Sequence, residues 1–148
     1  MFFVDLIGTD PSQVGIAWFD YFSIGHICFG IGVFLFFSLF YTIPKSKGNV
    51  PIFSLLFVFI LTFVILILWE FLENFLFIDL GWKFEGRADS IENIIGDLIC
   101  GVIGAIGSWL FCHFIFEKNI WAYYIFGIVG FGLWLGVFVI LRVLTLSP

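Results

Sequence analysis

Residues 51–77 read PIFSLLFVFILTFVILILWEFLENFLF, and from Ile52 to Trp69 the polar side chains are Ser54 and Thr62 alone. At 1.5 Å of rise per residue, about 20 such residues cross the roughly 30 Å hydrocarbon core of a bilayer. The stretch therefore predicts a membrane-spanning helix, opened by Pro51 in a first turn that tolerates proline. Polarity returns before the apolar run ends, at Glu70, Glu73 and Asn74. Glu70 lies about two turns inside, where a carboxylate costs a few kcal/mol even on lenient insertion scales. Such a residue faces a bundle interior, pairs, or does chemistry.

Three further apolar stretches flank this one. The first covers 16–43 and ends at a turn, Pro44 to Asn49, that carries Lys45 and Lys47. After a loop over 78–88 comes 89–116, and after Glu117-Lys118-Asn119 comes 120–146. Residues 1–15, with Pro11, read as a short interfacial or extracytoplasmic arm. The expectation is one all-α domain over 1–148, an integral membrane four-helix bundle with short loops. Composition agrees: 62% hydrophobic, 11% charged and 23 Phe, with a mean hydropathy of +1.18, exclude a soluble globule carrying about 25% charge. A net charge of −5 without a basic patch excludes nucleic acid as partner and leaves membrane lipids. Met1 to Asp5 lack the basic region of a cleavable signal, so the first helix reads as an uncleaved insertion signal of a multi-pass integral membrane protein. Cys28, Cys100 and Cys112 have no metal or disulfide spacing and read as packing residues.

Small residues mark where helices meet. Gly96, Cys100, Gly104 and Ser108 recur every four positions, and Gly132 with Gly136 forms a GxxxG pair, patterns that let backbones approach closely in lipid. Trp18, Trp82 and Trp121 fall near predicted helix ends, as an interfacial aromatic belt does.

Seven of the chain's 11 acidic residues lie between Glu70 and Asp97. On the predicted boundaries His26, Glu70 and Asp97 come from three helices to one depth, roughly 12–15 Å from one membrane face. Glu70, Glu73 and Asn74 share an arc of about 100°, while Asp89, Asn93 and Asp97 drift by about 80°. Ser23, His26 and Gly30 share a face of the first helix. Asp89 to Glu92 reads as an N-cap with a capping box. Asp79, Lys83, Glu85 and Arg87 read as a solvated loop, with Arg87 able to clamp an anionic group. Asp5 and Asp10 read as surface, and His113 as interfacial at the opposite face. Oxygen-rich clusters of this kind hold hard dications such as Mg²⁺ or Mn²⁺, here through Glu70, Glu73 and Asp97. Without a metal, paired carboxylates serve as acid and base or carry protons. The ligand sets usual for catalytic zinc, a P-loop and a GxSxG elbow are missing.

Three segments carry a resemblance: Asp20-Tyr21-Phe22-Ser23-Ile24-Gly25-His26, Trp69-Glu70-Phe71-Leu72-Glu73-Asn74, and Asp89-Ser90-Ile91-Glu92-Asn93 through Asp97. In that order they resemble an uncharacterised family of small bacterial inner-membrane proteins that reads S-H-x-x-H-G, W-E-x-x-E-N and G-D-S-x-x-N-x-x-x-D, itself distantly similar to VanZ-like proteins of the cell envelope. The likeness covers about residues 20–108 and implies that these residues form a site. Phe29 stands where the family has a second histidine and Ala88 where it has glycine, so a two-histidine metal site is not expected.

The leading expectation is an envelope enzyme acting on a lipid or lipid-linked phosphate. His26, Glu70 and Asp97 would be catalytic, and Ser23, Asn74, Arg87 and Asn93 would bind substrate. The alternative is a non-enzymatic subunit or a proton- or cation-handling protein whose buried polar cluster is a lock or relay. Positive charges tie across the two faces, Lys83, Arg87 and Arg142 against Lys45, Lys47 and Lys118. The short first loop and the apolar flank of Arg142 break the tie towards an extracytoplasmic pocket.

Overall fold

The computed structural model describes residues 6–83 and 86–146, without the side chains of residues 138, 141, 142 and 144–146. Asp5, Glu85 and the side chain of Arg142 lie outside the described residues. Among the described residues, four helices are long and apolar enough to cross a membrane. They are α1, Ser23–Ser46; α2, Leu55–Asp79; α3, Ile91–Ile115; and α4, Ile120–Leu146. The molecule is a four-helix membrane bundle. Helix α1 is its hub, packed on the other three, while α4 leans chiefly on α1.

The ends of the helices move from their expected places for local reasons. Helix α1 passes through Pro44, whose ring nitrogen has no hydrogen to give the Phe40 carbonyl. That carbonyl instead accepts from Ile52 N at 3.0 Å and Phe53 N at 3.4 Å, which pins the first loop to the helix. Helix α2 starts at Leu55, capped by Ser54, whose hydroxyl accepts from Phe57 N at 3.1 Å. The N-cap of α3 is Ser90 and not Asp89; its hydroxyl accepts from Asn93 N at 3.1 Å. Asp89 is diverted by a buried pairing with Lys83.

The largest displacement is in residues 16–22, which do not extend α1. They belong to the arm, which carries a 3₁₀ turn at Pro11–Gln13 and a single parallel bridge between Ile7 and Phe19. The arm folds over the end of the bundle where α1 and α3 begin and α2 ends. His26 is consequently about one turn inside α1 rather than ten residues deep, and the arm supplies the rest of its cover.

Glycines set the helix spacing. A Cβ at Gly104 would strike the Ile27 carbonyl, one at Gly30 the Gly101 carbonyl, and one at Gly96 the carbonyl of Trp18 in the arm. In α4 the close-packed glycines are Gly127 against Leu35 and Gly130 against Ile31; Gly132 and Gly136 have no described atom within 4 Å of a Cβ position. Among the described residues the expected GxxxG pair makes no close contact.

Candidate functional site

The arm forms a roof built around Asp20. Its Oδ1 accepts from Phe22 N at 2.7 Å, and its Oδ2 accepts from Gly15 N at 2.8 Å and Asn93 Nδ2 at 3.2 Å. Asn93 also donates to the Ala17 carbonyl at 2.8 Å. Ser90 N donates to the Gly15 carbonyl at 2.7 Å and Ser90 Oγ to the Ile16 carbonyl at 2.8 Å. From the loop after α2, Arg87 Nη2 donates to the carbonyls of Ser12 and Val14 at 3.2 and 3.0 Å. Loop backbone buried in this way needs partners for its polar groups, and Asp20, Asn93 and Arg87 provide them.

The α2 wall is shaped by a π-helical turn over Leu72–Leu76, a distortion frequent at functional sites. It carries Glu73 and Asn74. Asn74 is a crosslink: Nδ2 donates to the Glu70 carbonyl at 3.0 Å, and Oδ1 accepts from Asp89 N at 2.7 Å and Lys83 Nζ at 3.1 Å. Lys83 also donates to Asp89 and is 7% exposed, so it is not the solvated loop residue that its sequence neighbourhood suggested. A lysine is almost never buried unless paired, and here Asp89 supplies the pair.

Beneath the roof, three helices converge on one imidazole. His26 Nδ1 lies 3.3 Å from Glu70 Oε1, and Nε2 lies 3.6 Å from Asp97 Oδ2. His26, Glu70 and Asp97 are 8%, 5% and 4% exposed. Asp97 is held from the other side by Ser23, whose hydroxyl donates to Oδ1 at 2.6 Å and accepts from Asp20 N at 3.0 Å. Glu70 is different: neither of its carboxylate oxygens has a hydrogen-bond partner among the described residues. Ligand atoms of His26, Glu70 and Glu73 lie within 4.8 Å of one another, a group able to hold a metal ion. Asp97 stands outside that group, on the far side of the ring.

Space at this cluster is small. A cavity of about 20 Å³ touches His26, Glu73, Trp69 and Trp134, and another of about 10 Å³ touches Glu73, Asp97, Asn93 and Asp20. Each has room for about one water. The floor is apolar, formed by Leu66 lying against Gly101 and by the fully buried Phe34. The roomier hollows are at the opposite end, about 500 Å³ beside Lys45, Glu117, Lys118 and Trp121 and about 190 Å³ beside Tyr41, Cys112 and His113.

All the site residues expected from the sequence thus come to one end of the bundle. His26, Glu70, Glu73 and Asp97 meet in the centre; Ser23, Asn74 and Asn93 brace them; Arg87 is on the roof. Asp20 and Lys83 were missed as site residues. Asp20 had a local signal, an Asp three residues before a Ser at a helix start, the spacing of a side-chain-bonded turn. Lys83 had none, because its burial depends on Asn74 and Asp89 arriving from either side.

A family described as "Predicted membrane protein (DUF2238)" matches residues 5–118. The chain belongs to this family. The DUF2238 match takes in the arm and α1 to α3, the parts that build the polar cluster, and ends before α4. No curated protein and no solved structure matches the chain.

Proposed function

We propose that this chain is an enzyme of the cell inner membrane acting on a lipid or lipid-linked phosphate of the envelope, with His26 as general acid or base between Glu70 and Asp97. The observation that carries the reading is Glu70. A polar group that merely locks helices has its hydrogen bonds made, since a half-satisfied buried network is worse than an apolar core. Both Glu70 oxygens lack that satisfaction and one faces an imidazole nitrogen. The apolar floor favours a site open to one face over a conduit. The distant likeness to VanZ-like proteins supports a role in the cell envelope.

In this reading Ser23, Asn74 and Asn93 hold the reacting groups in position, and the arm swings aside to admit a head group. Arg87, exposed on the roof, meets its phosphate with the donors not used on the arm. The cluster faces the extracytoplasmic side, with Lys45 and Lys47 on the cytoplasmic short loop. Single cysteines at Ser46 and Gly86, labelled in intact cells, report this: position 86 is expected to react and position 46 to be protected. The reverse pattern inverts the orientation.

The direct test is native mass spectrometry of the detergent-purified protein, followed by ³¹P NMR of the recovered lipid incubated with enzyme. A phosphate-bearing lipid that co-purifies and is turned over by the wild type, with at least a 100-fold loss in His26→Ala, is the expected result. Turnover unchanged in His26→Ala and Glu70→Gln defeats the catalytic assignment. The water-sized cavities favour one second reading, a proton- or cation-handling subunit.

A further inference from the structure

We infer that His26, Glu70 and Glu73 form a site for one transition-series dication, Zn²⁺ foremost, with Asp97 orienting the imidazole from behind. The inference deepens the reading above and rests on the same constellation, but it concerns binding and is measured apart from turnover.

Geometry is the first argument. Zinc bonds to His nitrogen and carboxylate oxygen run about 2.0–2.2 Å in a tetrahedron, which sets neighbouring ligand atoms about 3.3–3.5 Å apart. His26 Nδ1 and Glu70 Oε1 are 3.3 Å apart. One ligand atom from each of His26, Glu70 and Glu73 lies within 4.8 Å of the other two, a spacing that side-chain torsion can tighten. The second argument is the orphaned carboxylate. Glu70 is 5% exposed and has two oxygens without a hydrogen-bond partner among the described residues, one of them next to the imidazole. Two carboxylates and a dication sum to zero charge, which offsets the cost of burying Glu70 beside the half-buried Glu73.

Donor chemistry and space choose among dications. Mg²⁺ prefers oxygen ligands in a near-ideal octahedron and keeps several waters. Here one donor is imidazole, and the neighbouring cavities of about 10 and 20 Å³ each take about one water. Three protein ligands and one water are the count of a catalytic zinc site, although one imidazole with two carboxylates carries less nitrogen than the usual sets. Asp97 completes the arrangement. Its Oδ2 stands 3.6 Å from His26 Nε2, just beyond hydrogen-bond length, while Ser23 fixes its other oxygen. That is the placement of a carboxylate behind a metal-bound histidine, where it fixes ring orientation and raises ligand basicity. The sequence expectation of Glu70, Glu73 and Asp97 as ligands thus becomes His26, Glu70 and Glu73, with Asp97 a positioning residue.

The test uses the full chain in detergent, stripped with chelator, and Zn²⁺, Mn²⁺ or Mg²⁺ alone as the probe. Calorimetry and elemental analysis are expected to give one Zn²⁺ per chain and at least tenfold weaker Mg²⁺. His26→Ala, Glu70→Gln and Glu73→Gln each lower Zn²⁺ affinity at least 100-fold, while Asp97→Asn lowers it about 10- to 100-fold. Pulsed EPR of Mn²⁺ bound to the unaltered protein is expected to show ¹⁴N coupling from one imidazole, a readout that does not depend on any variant folding. No Zn²⁺ binding by the wild type overturns the site, as does full affinity in Glu70→Gln. Mg²⁺ held as tightly as Zn²⁺, or Mn²⁺ without ¹⁴N coupling, overturns the ligand set. Zn²⁺ bound as expected without any turnover of lipid leaves the site standing and removes the proposed enzyme.

Discussion

Glu70 has a nearly sealed environment, and its carboxylate oxygens have no hydrogen-bond partner among the described residues. Leaving such a group unsatisfied costs about 1–3 kcal/mol, so Glu70→Leu, of similar volume, is expected to raise stability by about that amount while abolishing function. Unfolding in an SDS or urea series, read by helicity, measures the first part; a loss of stability in Glu70→Leu would mean that the carboxylate holds the fold. The neighbouring residues behave oppositely. Asn93→Ala removes the donor to Ala17 and Asp20; Asp20 Oδ2 keeps the Gly15 amide, and the buried Ala17 carbonyl loses its side-chain donor. The substitution is expected to cost about 1–3 kcal/mol and to make the arm sensitive to limited proteolysis, with intact protease resistance the opposing result. These residues differ in how far the sequence discloses them. His26, Glu70 and Asp97 are legible because charge inside an apolar helix is expensive whatever the tertiary structure. Asp20 and Lys83 are in loops, where burial is decided by what folds over them, and only the Asp20 turn leaves a local trace.

At the scale of elements, the apolar runs marked four helices, and the errors collected at their ends. Residues 16–22 are apolar enough to extend α1, but Asp20 binds the amides of Gly15 and Phe22 and turns the chain. Hydropathy does not register that competition, which also explains why the depth of His26 was overestimated. The glycine pattern was half legible: period four marked α3, whereas in α4 the contact positions are Gly127 and Gly130, set by the crossing with α1. Gly104→Leu is therefore expected to destabilise by at least about 1–3 kcal/mol through overpacking against the Ile27 backbone, and Gly132→Leu to change stability little. Equal effects in an unfolding series would contradict this packing. At the other end, Lys45 Nζ bonds Glu117 and Tyr41, which ties the end of α1 to the turn before α4. That hydrogen bond, with the lysine charge, holds the Glu117 carboxyl below its usual range. Stability from this pair is present above the ordinary glutamate range and is lost as pH falls through the depressed value. NMR titration should place Glu117 below an exposed glutamate, and Lys45→Gln should restore it; an ordinary midpoint in the wild type would show the pair absent in solution.

Across the whole molecule, polarity is divided into two layers with an apolar floor between them. One layer is the His26 cluster under the arm. The other is a hydroxyl ladder near the opposite face, where Ser38 bonds Tyr123 and Thr42 bonds Tyr124 at 2.6 Å. From His26 to Ser38 is twelve residues along α1, about 18 Å, and the space between is occupied by Phe34 and Leu66, both essentially without exposure. Among the described residues, Thr62 bonds back to the Val58 carbonyl and Ser108 to the Gly104 carbonyl, so neither offers a stepping stone. A proton relay needs donors and acceptors within hydrogen-bond reach of one another; on the reading of a one-sided site, none links the two layers. Proteoliposomes carrying the wild-type chain, given a pH gradient and followed with an entrapped dye, are expected to leak protons no faster than empty vesicles. Leu66→Ala with Phe34→Ala opens the floor without touching the site, and only that variant is expected to leak. A wild-type flux that disappears in Glu70→Gln would join the two layers into a conduit and replace the one-sided site with the relay.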